Sequence, residues 1–338
     1  MKTYHVAIAG ATGAVGAEFL RLLEERDFPL ASLKLLASAR SVGKTIRFKG
    51  SDLPVEELTA DSFRGTDIAF FSAGGSQSKK FAHAAAESGA VVIDNSSAFR
   101  MDPEVPLVIP EVNPEDALGH RGIIANPNCS TIILVMALTP LHRLSPVRRV
   151  VVSTYQAASG AGASAMKELE DQSRAFLAGD TVTKNIFPHQ IAFNLFSHNT
   201  AINDTGYNEE ELKMVKETRK ILHEPTLAIT ATCIRVPILR AHSESINIEF
   251  AGDRPTVEAA REALAAFPGI TVVDDRAGNT FPMPLDASGK DDVFVGRIRE
   301  DLSHPQALDL FVAGDQILKG AALNGYQIAE LLIRRGAI

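Results

Sequence analysis

Short apolar runs alternate with helical patterns through the first third of the chain. Runs with the composition of buried strands lie at residues 4–9, 33–37, 67–72, 91–93 and 107–109. An amphipathic pattern follows the first run, and an Ala-rich helical stretch extends from Phe81 to Ser88. Strands that alternate with helices in this way form a parallel, doubly wound sheet. We therefore predict an N-terminal Rossmann-like α/β domain that binds ligands at the carboxyl ends of its strands.

The pattern changes after residue 130. Strand-like segments follow at residues 150–155, 230–237 and 241–250. They predict a second, α+β domain with a mainly antiparallel sheet. The apolar pattern from Ala313 to Arg335 predicts one long amphipathic helix that returns to the first domain. The predicted division is residues 1–129 with 312–338 for the first domain and residues 130–311 for the second.

The turn after the first predicted strand is rich in glycine. Gly10, Gly13 and Gly16 form a G-x-x-G-x-x-G pattern between this strand and the first predicted helix. Such a turn lets backbone N–H groups approach a pyrophosphate at a helix N-terminus. We interpret it as a dinucleotide-binding fingerprint, although the commoner spacing is G-x-G-x-x-G.

The end of the second predicted strand bears on the choice of cofactor. An NAD enzyme usually has Asp or Glu near this point to bind the ribose 2′-hydroxyl. This chain has Ser38, Arg40 and Ser41 instead, a set that suits a 2′-phosphate. The alternative is a solvated basic loop, and we predict NADP.

Composition limits the possible classes of protein. The chain has 338 residues, 45% of them hydrophobic and 22% charged, which is ordinary for a two-domain soluble enzyme. It has no apolar run near the roughly 20 residues that span a bilayer, and we see no signal peptide or metal-site spacing. Two cysteines without such a spacing fit a reducing cytoplasm. A net charge of −7 argues against binding to nucleic acid or an anionic membrane.

Cys129 lies between the apolar pair Ile123-Ile124 and a densely apolar stretch that begins at Ile132. Pro127 and Asn128 favour the start of a helix at this point. A cysteine at a helix N-terminus is stabilised as the thiolate, which is a nucleophile. The alternative is a small buried residue in a strand-to-helix turn, and these residues alone leave both interpretations open.

Four further features of the chain bear on the choice between a chemical and a structural role. Arg100 follows a predicted strand end, where it is either an anion contact or a surface cation. Ser159 to Gly162 either line a substrate or nicotinamide pocket or form a plain turn. Cys233 is interpreted as a core residue. A lone histidine such as His242 is more often structural than catalytic.

Taken together, these segments resemble the bacterial aspartate-semialdehyde dehydrogenases. The matching segments, in the order of that family, are residues 10–16, 38–41, 95–100, 126–131, 156–162, 210–213, 234–237, 242 and 314–316. They extend over nearly the whole chain, and the segments around Cys129 and Gln156 are distinctive of the family.

The resemblance implies a role for each matched residue. Cys129 is implied as the nucleophile, His242 as the general acid/base and Gln156 as an orienting group. The implied substrate contacts are Arg235 on the carboxylate, Glu210 near the amine, and Arg100 with Lys213 on the phosphate. The implied cofactor contacts are Gly10, Thr12, Gly13, Ala14, Val15, Ser38, Arg40, Ser41, Ser159, Gly160 and Gln316. The second domain is implied to carry catalysis and to assemble a homodimer or homotetramer.

The implied reaction is chemically coherent. A thiolate attacks an acyl phosphate, expels phosphate and leaves a thioester, which accepts a hydride more readily than a carboxylate does. Collapse of the thiohemiacetal then releases the aldehyde, so that 4-aspartyl phosphate becomes aspartate semialdehyde in the pathway to lysine, methionine and threonine. A histidine that titrates near neutrality suits the proton transfers.

Three alternatives remain open. The first is an acyl-phosphate reductase for N-acetylglutamyl phosphate, and an amine contact at Glu210 favours aspartyl phosphate over it. The second is a phosphorylating aldehyde dehydrogenase for a sugar phosphate, which needs a different ligand set. The third is a non-catalytic paralogue that keeps the fold for binding or assembly, against which an intact set of catalytic residues argues.

Overall fold

The computed structural model describes residues 2–338. They form two compact units, an N-terminal unit made of residues up to 128 together with 321–338, and a central unit made of residues 129–320. Each unit is built on one seven-stranded sheet of the described residues. The predicted α/β class, with a parallel sheet first and a mainly antiparallel sheet second, is confirmed.

The sheet of the N-terminal unit is parallel except at one edge. Its strands are β1 (Tyr4–Ala9), β2 (Leu30–Ala37), β3 (Thr45–Phe48), β4 (Ser51–Glu57), β5 (Ile68–Phe71), β6 (Val91–Asp94) and β7 (Ile123–Ala125). They lie in the order β3-β4-β2-β1-β5-β6-β7, and only β3 pairs antiparallel. Every residue of β5 and β6 is buried, as expected for strands covered on both faces.

Helices α1 (Ala14–Glu25) and α2 (Gly75–Glu87) pack on this sheet. The apolar stripe of α1 is buried, and its Phe19 stacks on Phe70 of β5 with ring centroids 4.4 Å apart. The glycine turn therefore joins the carboxyl end of β1 to a helix that the sheet holds firmly in place.

The central unit combines seven strands with five helices among the described residues. The strands are β8 (Val147–Gln156), β9 (Phe196–Ser197), β10 (Ala228–Arg235), β11 (His242–Phe250), β12 (Ile270–Val272), β13 (Val293–Glu300) and β14 (Ala307–Gly314). The helices are α3 (Cys129–Leu144), α4 (Ala163–Ala178), α5 (Glu209–Ile221), α6 (Val257–Ala265) and the single turn α7 (Pro284–Ala287). The strand order is β12-β13-β14-β11-β8-β10-β9.

Helix α3 is the core of the central unit. All twelve residues from Ser130 to Leu141 are buried, which is the property of a helix that is apolar on every side. It packs on α5, α6 and the strands of the sheet. Its first residue is Cys129, so the packing of α3 fixes the position of that side chain.

The chain returns to the N-terminal unit as α8 (Leu323–Arg335), whose Gly325 lies against Phe19 and Ile93. The predicted helix from Ala313 to Arg335 is therefore too long by ten residues. Ala313 instead pairs as the penultimate residue of β14, and the Asp315 carboxylate accepts hydrogen bonds from the backbone of Ile317 and Leu318. A π-helical turn over 318–322 then leads into α8.

The predicted strand at 107–109 is also wrong. Leu107 makes a single bridge to Ala125, and no ladder follows. The Asn113 side chain binds the backbone of this segment instead, because its Oδ1 accepts from Ile109 N and its Nδ2 donates to Leu107 O. A local side-chain contact thus replaces the strand pairing that the apolar residues predicted.

Candidate active site

Three predicted site residues meet at one end of the central sheet. Gln156 ends β8, Arg235 ends β10 and lies opposite it, and His242 begins β11. Ser243 pairs with Tyr155, so His242 is the next neighbour of Gln156 along the same pair of strands. All three site side chains are buried, with at most 3% of their surface exposed. The strand pairing alone therefore aligns an amide, a guanidinium and an imidazole.

Cys129 lies beside this row of three residues as the first residue of α3. The Nε2 of Gln156 donates to Oγ of the adjacent Ser130 over 3.0 Å, which ties the row to the start of the helix. A side chain at Gly320 would approach the Cβ of Cys129 to 2.9 Å, so glycine is needed there. Cys129 is half-buried and forms no disulfide, and its predicted position at the start of a helix is confirmed.

The His242 ring has a fixed tautomer. The backbone N–H of Ala157 donates to its Nδ1 over 3.0 Å, so Nδ1 must be the unprotonated nitrogen and the neutral ring carries its proton on Nε2. That Nε2 has no hydrogen-bond partner within residues 2–338. Burial, reinforced by the nearby Arg235 charge, lowers the pKa of His242 to about 3.

The low pKa differs from the expectation, drawn from the sequence, that His242 titrates near neutrality as a solvated imidazole does. Here the ring loses its hydration, and a backbone donor occupies the nitrogen that would otherwise accept a proton. His242 is therefore neutral at physiological pH and presents Nε2–H as a hydrogen-bond donor.

Arg235 is held from two sides. Its Nη1 donates to Ala157 O over 2.9 Å, and its Nη2 lies 2.9 Å from Nε2 of His198. The Nε has no partner among the described residues, and Phe187 lies under the guanidinium at 5.5 Å. Burial lowers the pKa of Arg235, while the Glu210 charge opposes this effect. The guanidinium can thus still accept an anionic ligand.

Glu210 and Lys213 lie in the first two turns of α5, next to the same row. The Glu210 carboxylate accepts from Nε2 of Gln156 over 3.4 Å and lies 3.3 Å from the Lys213 ammonium. Glu210 is buried and Lys213 is half-buried. The site therefore places a carboxylate and an ammonium beside the Arg235 guanidinium, which suits a ligand with charges of both signs.

Ser159, Gly160 and Gln316 surround His242 within the central unit. A Cβ at Gly160 would lie 3.1 Å from both Arg235 Nη1 and His242 Nε2, so this loop passes close to the row. Gln316 donates through Nε2 to Ser159 Oγ and accepts at Oε1 from Ala241 N over 2.9 Å. Ala241 has a φ of 71°, a left-handed conformation that is strained for alanine. The three predicted cofactor contacts of this unit are thus close together.

A cavity of about 500 Å³ in the N-terminal unit contains most of the other predicted cofactor contacts. Gly10, Thr12, Gly13, Ser38 and Arg40 line it. The φ of Gly10 is 93°, and a Cβ there would lie 2.4 Å from the carbonyl oxygen of Ser72. No other residue fits this turn, which supports the fingerprint interpretation.

Three predicted cofactor residues occupy the edges of this region. Ala14 and Val15 are the first two residues of α1, where backbone N–H groups lack helical partners and can bind a pyrophosphate. Ser41 is buried in the turn after β2, and its backbone N donates to Ser38 O over 2.8 Å. The Ser41 contact therefore shapes the loop that presents Arg40.

Three residues of these sites were not predicted from the sequence. Lys80 on α2 and Glu57 at the end of β4 line the cavity with Arg40, so the cavity contains charges of both signs. Glu57 lies beside Ala37 in the parallel pair of β4 and β2. It is therefore near the end of β2 in space but not in sequence. His198 follows the two-residue strand β9, for which the sequence has no periodic signal.

Arg100, a predicted phosphate contact, lies in the N-terminal unit and is 7% exposed. Its Nε donates to Asn126 O over 2.9 Å, and its Nη2 donates to Asn95 O over 3.0 Å. Backbone carbonyls thus hold the guanidinium in one orientation.

Within residues 2–338, no group of three or more His, Cys, Asp or Glu side chains is arranged to hold a metal ion. Among the helices formed by the same residues, none has the length and apolarity needed to cross a bilayer.

Both units match family models. Residues 5–120 match the model "Semialdehyde dehydrogenase, NAD binding domain", and residues 138–319 match "Semialdehyde dehydrogenase, dimerisation domain". The two matches include most of the chain and separate it near the boundary between the two units.

Individual proteins match over nearly their whole length. The aspartate-semialdehyde dehydrogenase of Synechocystis sp. is 59% identical over 98% of both chains. A crystal structure of aspartate semialdehyde dehydrogenase II from Vibrio cholerae, complexed with ASA, has a TM-score of 0.96 at 45% identity over 99% of both chains. A Candida albicans aspartate semialdehyde dehydrogenase with NADP has a TM-score of 0.79 at 26% identity over 100% of both chains.

Proposed function

The chain belongs to the aspartate-semialdehyde dehydrogenase family, and on this premise we propose how its residues act. The reaction is the reductive dephosphorylation of 4-aspartyl phosphate to aspartate 4-semialdehyde and phosphate, a step in the biosynthesis of lysine, methionine and threonine. The observation that carries the proposal is the buried row of His242, Gln156 and Arg235 beside Cys129. It combines a nucleophile, a neutral donor and a carboxylate-binding group in one unit.

Cys129 forms the covalent intermediate in this proposal. Its thiolate attacks the acyl carbon, the bond from that carbon to the phosphate oxygen breaks, and phosphate leaves. A nicotinamide cofactor, when bound, would supply the hydride that reduces the resulting thioester. The oxyanion then collapses to the aldehyde and returns the sulfur of Cys129 to the thiolate, so this last step needs no proton from the chain.

His242 acts as a neutral hydrogen-bond donor in this reaction. The Ala157 N–H leaves Nε2–H as the free end of the ring, and a buried donor of this kind stabilises negative charge on a reacting oxygen. The resemblance implies general acid/base catalysis at His242. The tautomer supports a narrower role, because an Nε2 that already carries a proton cannot accept one from the thiol of Cys129.

The α-carboxylate and the α-ammonium group of the substrate bind to side chains of opposite charge. Arg235 grips the α-carboxylate with its planar fork, which the contacts to Ala157 and His198 hold in place. Glu210 binds the α-ammonium, and this contact favours aspartyl phosphate over an N-acylated substrate. Lys213 is the phosphate contact that the central unit provides in this proposal, and Gln156 orients the reacting group through its contacts to Ser130 and Glu210. The resemblance also implies Arg100 as a phosphate contact, and backbone carbonyls of the N-terminal unit hold its guanidinium.

The N-terminal unit is the cofactor-binding domain in this proposal, and the cofactor is NADP. The tight Gly10 turn and the start of α1 suit a pyrophosphate, and Arg40 with Lys80 provides two cations for a 2′-phosphate. Glu57 in the same cavity is the kind of residue that binds an NAD ribose. The two cations outnumber it, and a similar structure from Candida albicans is described with NADP.

The central unit is the catalytic and dimerisation domain in this proposal. Its match to a dimerisation-domain model supports a homodimer or a homotetramer. We place the protein in the cytoplasm, because Cys129 must remain a reduced thiol to act and the cytoplasm keeps thiols reduced.

One assay tests the function directly. Purified protein is mixed with aspartate semialdehyde, phosphate and NADP⁺, and reduced nicotinamide is followed by absorbance. We expect phosphate-dependent formation of NADPH, and a lower rate with N-acetylglutamate semialdehyde. Absence of turnover with both aldehydes would favour a non-catalytic paralogue, and a preference for the N-acetylated aldehyde would favour the alternative reductase.

A further inference from the structure

His198 lies at the point where the carboxylate-binding and amine-binding ends of the site meet. It follows strand β9, and its backbone is fixed because its N–H donates to Cys233 O over 2.8 Å. The side chain lies 2.9 Å from Arg235 Nη2 on one side and 3.2 Å from Thr200 Oγ1 on the other. Neither the family resemblance nor the predicted site includes this residue.

The chemistry of the two contacts assigns the protons of His198. A guanidinium can only donate, so Nε2 must be the unprotonated acceptor of the hydrogen bond from Arg235. The neutral ring then carries its proton on Nδ1 and donates it to Thr200 Oγ1. A charged ring would place an N–H against the guanidinium, so the contact exists only while His198 is neutral.

The contact continues from Thr200 to Glu210. Thr200 Oγ1 also accepts from the backbone N of Glu210 over 3.4 Å, at the start of α5. The Glu210 carboxylate in turn accepts from Gln156. A continuous series of hydrogen bonds thus leads from the guanidinium, through one imidazole and one hydroxyl, to the residue at the amine end.

We propose that His198 is a positioning residue, which fixes the Arg235 fork relative to Glu210 and so sets the spacing between the two charged ends of the substrate site. The proposal rests on the proposed function, since it concerns how that site recognises an α-amino acid. Without His198, the Nη2 side of the guanidinium has no such anchor, and Nη1 keeps only its bond to Ala157 O. A guanidinium that can rotate binds a carboxylate less tightly, because its two parallel hydrogen bonds are no longer aligned in advance.

The environment keeps His198 in the form that this role needs. Burial lowers the pKa of His198 to about 4, with Arg235 and Lys213 acting in the same direction and Glu210 opposing them. The ring is therefore neutral at physiological pH, and its Nε2 is available as an acceptor.

The test compares His198→Ala, His198→Gln and the control His189→Ala in the aspartate semialdehyde assay. His189 is exposed in the same segment and contacts the Phe196 ring. Losing a hydrogen bond to a charged group changes binding roughly ten- to hundred-fold. We expect His198→Ala to raise KM for the semialdehyde by that factor, with KM for NADP within about twofold of the wild-type value.

His198→Gln should recover most of the loss, because its amide can accept from Arg235 and donate to Thr200. His189→Ala should resemble the wild type. The positioning role would be overturned if His198→Ala left KM for the semialdehyde unchanged, or if it raised KM for the semialdehyde and KM for NADP equally. Either result would leave the proposed function intact, because the wild-type protein would still be active. A wild-type protein without activity would instead refute the proposed function.

A second measurement needs no folded variant. In ¹⁵N-histidine-labelled wild-type protein at pH 7, we expect one ring with unprotonated Nε2 and protonated Nδ1, in contrast to His242, which has the opposite tautomer. A nuclear Overhauser contact from the Nδ1 proton to Thr200 identifies the ring of His198 in the wild-type protein. Protonation of Nε2 in His198 would exclude the Arg235 contact and overturn the proposal.

Discussion

Two proposed sites differ in how their polar and charged groups are held. They are the cofactor cavity of the N-terminal unit, which Arg40 lines, and the catalytic row of Gln156, Arg235 and His242 in the central unit. In the cavity, Arg40 and Lys80 are exposed, and the glycine turn contributes backbone rather than side chains. In the row, Gln156, Arg235 and His242 are buried and fixed by strand register and hydrogen bonds. The cavity thus presents charged side chains that can change conformation, whereas the row presents side chains whose positions are fixed.

The difference has a physical cause. An exposed cation remains solvated when it has no partner, so replacing it affects mainly the ligand that it binds. A buried polar group depends on every neighbour, because water cannot replace a lost partner. Substitutions in the catalytic row should therefore lower the rate more than substitutions in the cavity, and they should act on geometry even when charge is conserved.

The largest effect is expected at Cys129. Cys129→Ala should lower turnover by roughly 10³-fold or more, because it removes the nucleophile, while NADP binding and folding are unchanged. Cys129→Ser should be nearly as inactive, since a hydroxyl is far less acidic than a thiol. Turnover measured together with NADP binding by fluorescence decides the outcome. Substantial activity in Cys129→Ala would refute the covalent mechanism.

Arg235→Lys should reduce kcat and kcat/KM for the semialdehyde by about 100-fold, although it keeps the charge. Lysine has no planar fork, and a small misplacement at a reacting centre slows the reaction. Binding of NADP should hardly change, which titration calorimetry would measure. A lysine variant close to wild type would show that charge alone is sufficient in the catalytic row.

The matched variant for this test is Lys213→Ala. We expect it to raise KM for phosphate more than Arg235→Lys does, because the phosphate is its proposed partner. An equal rise in both variants would contradict the division into carboxylate-binding and phosphate-binding groups.

Arg40→Ala tests the role of the exposed cations in the cofactor cavity. It should raise KM for NADP roughly ten- to hundred-fold, equivalent to about 1.5–3 kcal/mol, and leave KM for NAD almost unchanged, because only NADP carries the 2′-phosphate. The kcat should stay near the wild-type value. Glu57→Gln is the converse variant and should weaken NAD more than NADP. Equal effects of Arg40→Ala on both cofactors would mean that this residue does not bind the ribose phosphate.

The smallest effect concerns acid stability. The unfolded chain protonates both imidazoles below a pH of about 6.5, whereas the folded chain keeps His198 neutral to about 4 and His242 to about 3. The free energy of unfolding should thus be greatest above pH 6.5 and fall as the pH decreases toward 4.

Urea unfolding between pH 7.5 and 4.5 measures this dependence. His198→Gln lacks one of the two groups, so its free energy of unfolding should fall less steeply than that of the wild type or of His189→Ala. Identical slopes in all three proteins would show that His198 is not held neutral by the fold.

Local patterns predicted the cofactor turn well, because its information is contained within a few adjacent residues. The apolar run of β1, the glycines from Gly10 to Gly16 and the start of α1 form one continuous unit of chain. Helix α3 with Cys129 at its start was predicted for the same reason. The helix at Ala313 failed because Asp315 and the pairing of β14 interrupt an apolar pattern that could have been helical.

The catalytic row could not be predicted from local pattern. Ala157 contacts His242 across 85 positions and Arg235 across 78, and only strand pairing brings these residues together. Family resemblance provided the residues but not the tautomer of His242, which depends on one backbone N–H. His198 and Glu57 were missed because each acts through a neighbour on another strand.

The strained residue Ala241 has a consequence for how the His242 ring is positioned. Its left-handed backbone, which the hydrogen bond from Ala241 N to Gln316 Oε1 holds, sets the direction in which the main chain enters β11 at His242. The Ala157 N–H then holds the ring itself through Nδ1. The imidazole is thus tied to the main chain at two points, so a substitution at 241 or 316 would move the start of β11 and the ring together, without any change at His242.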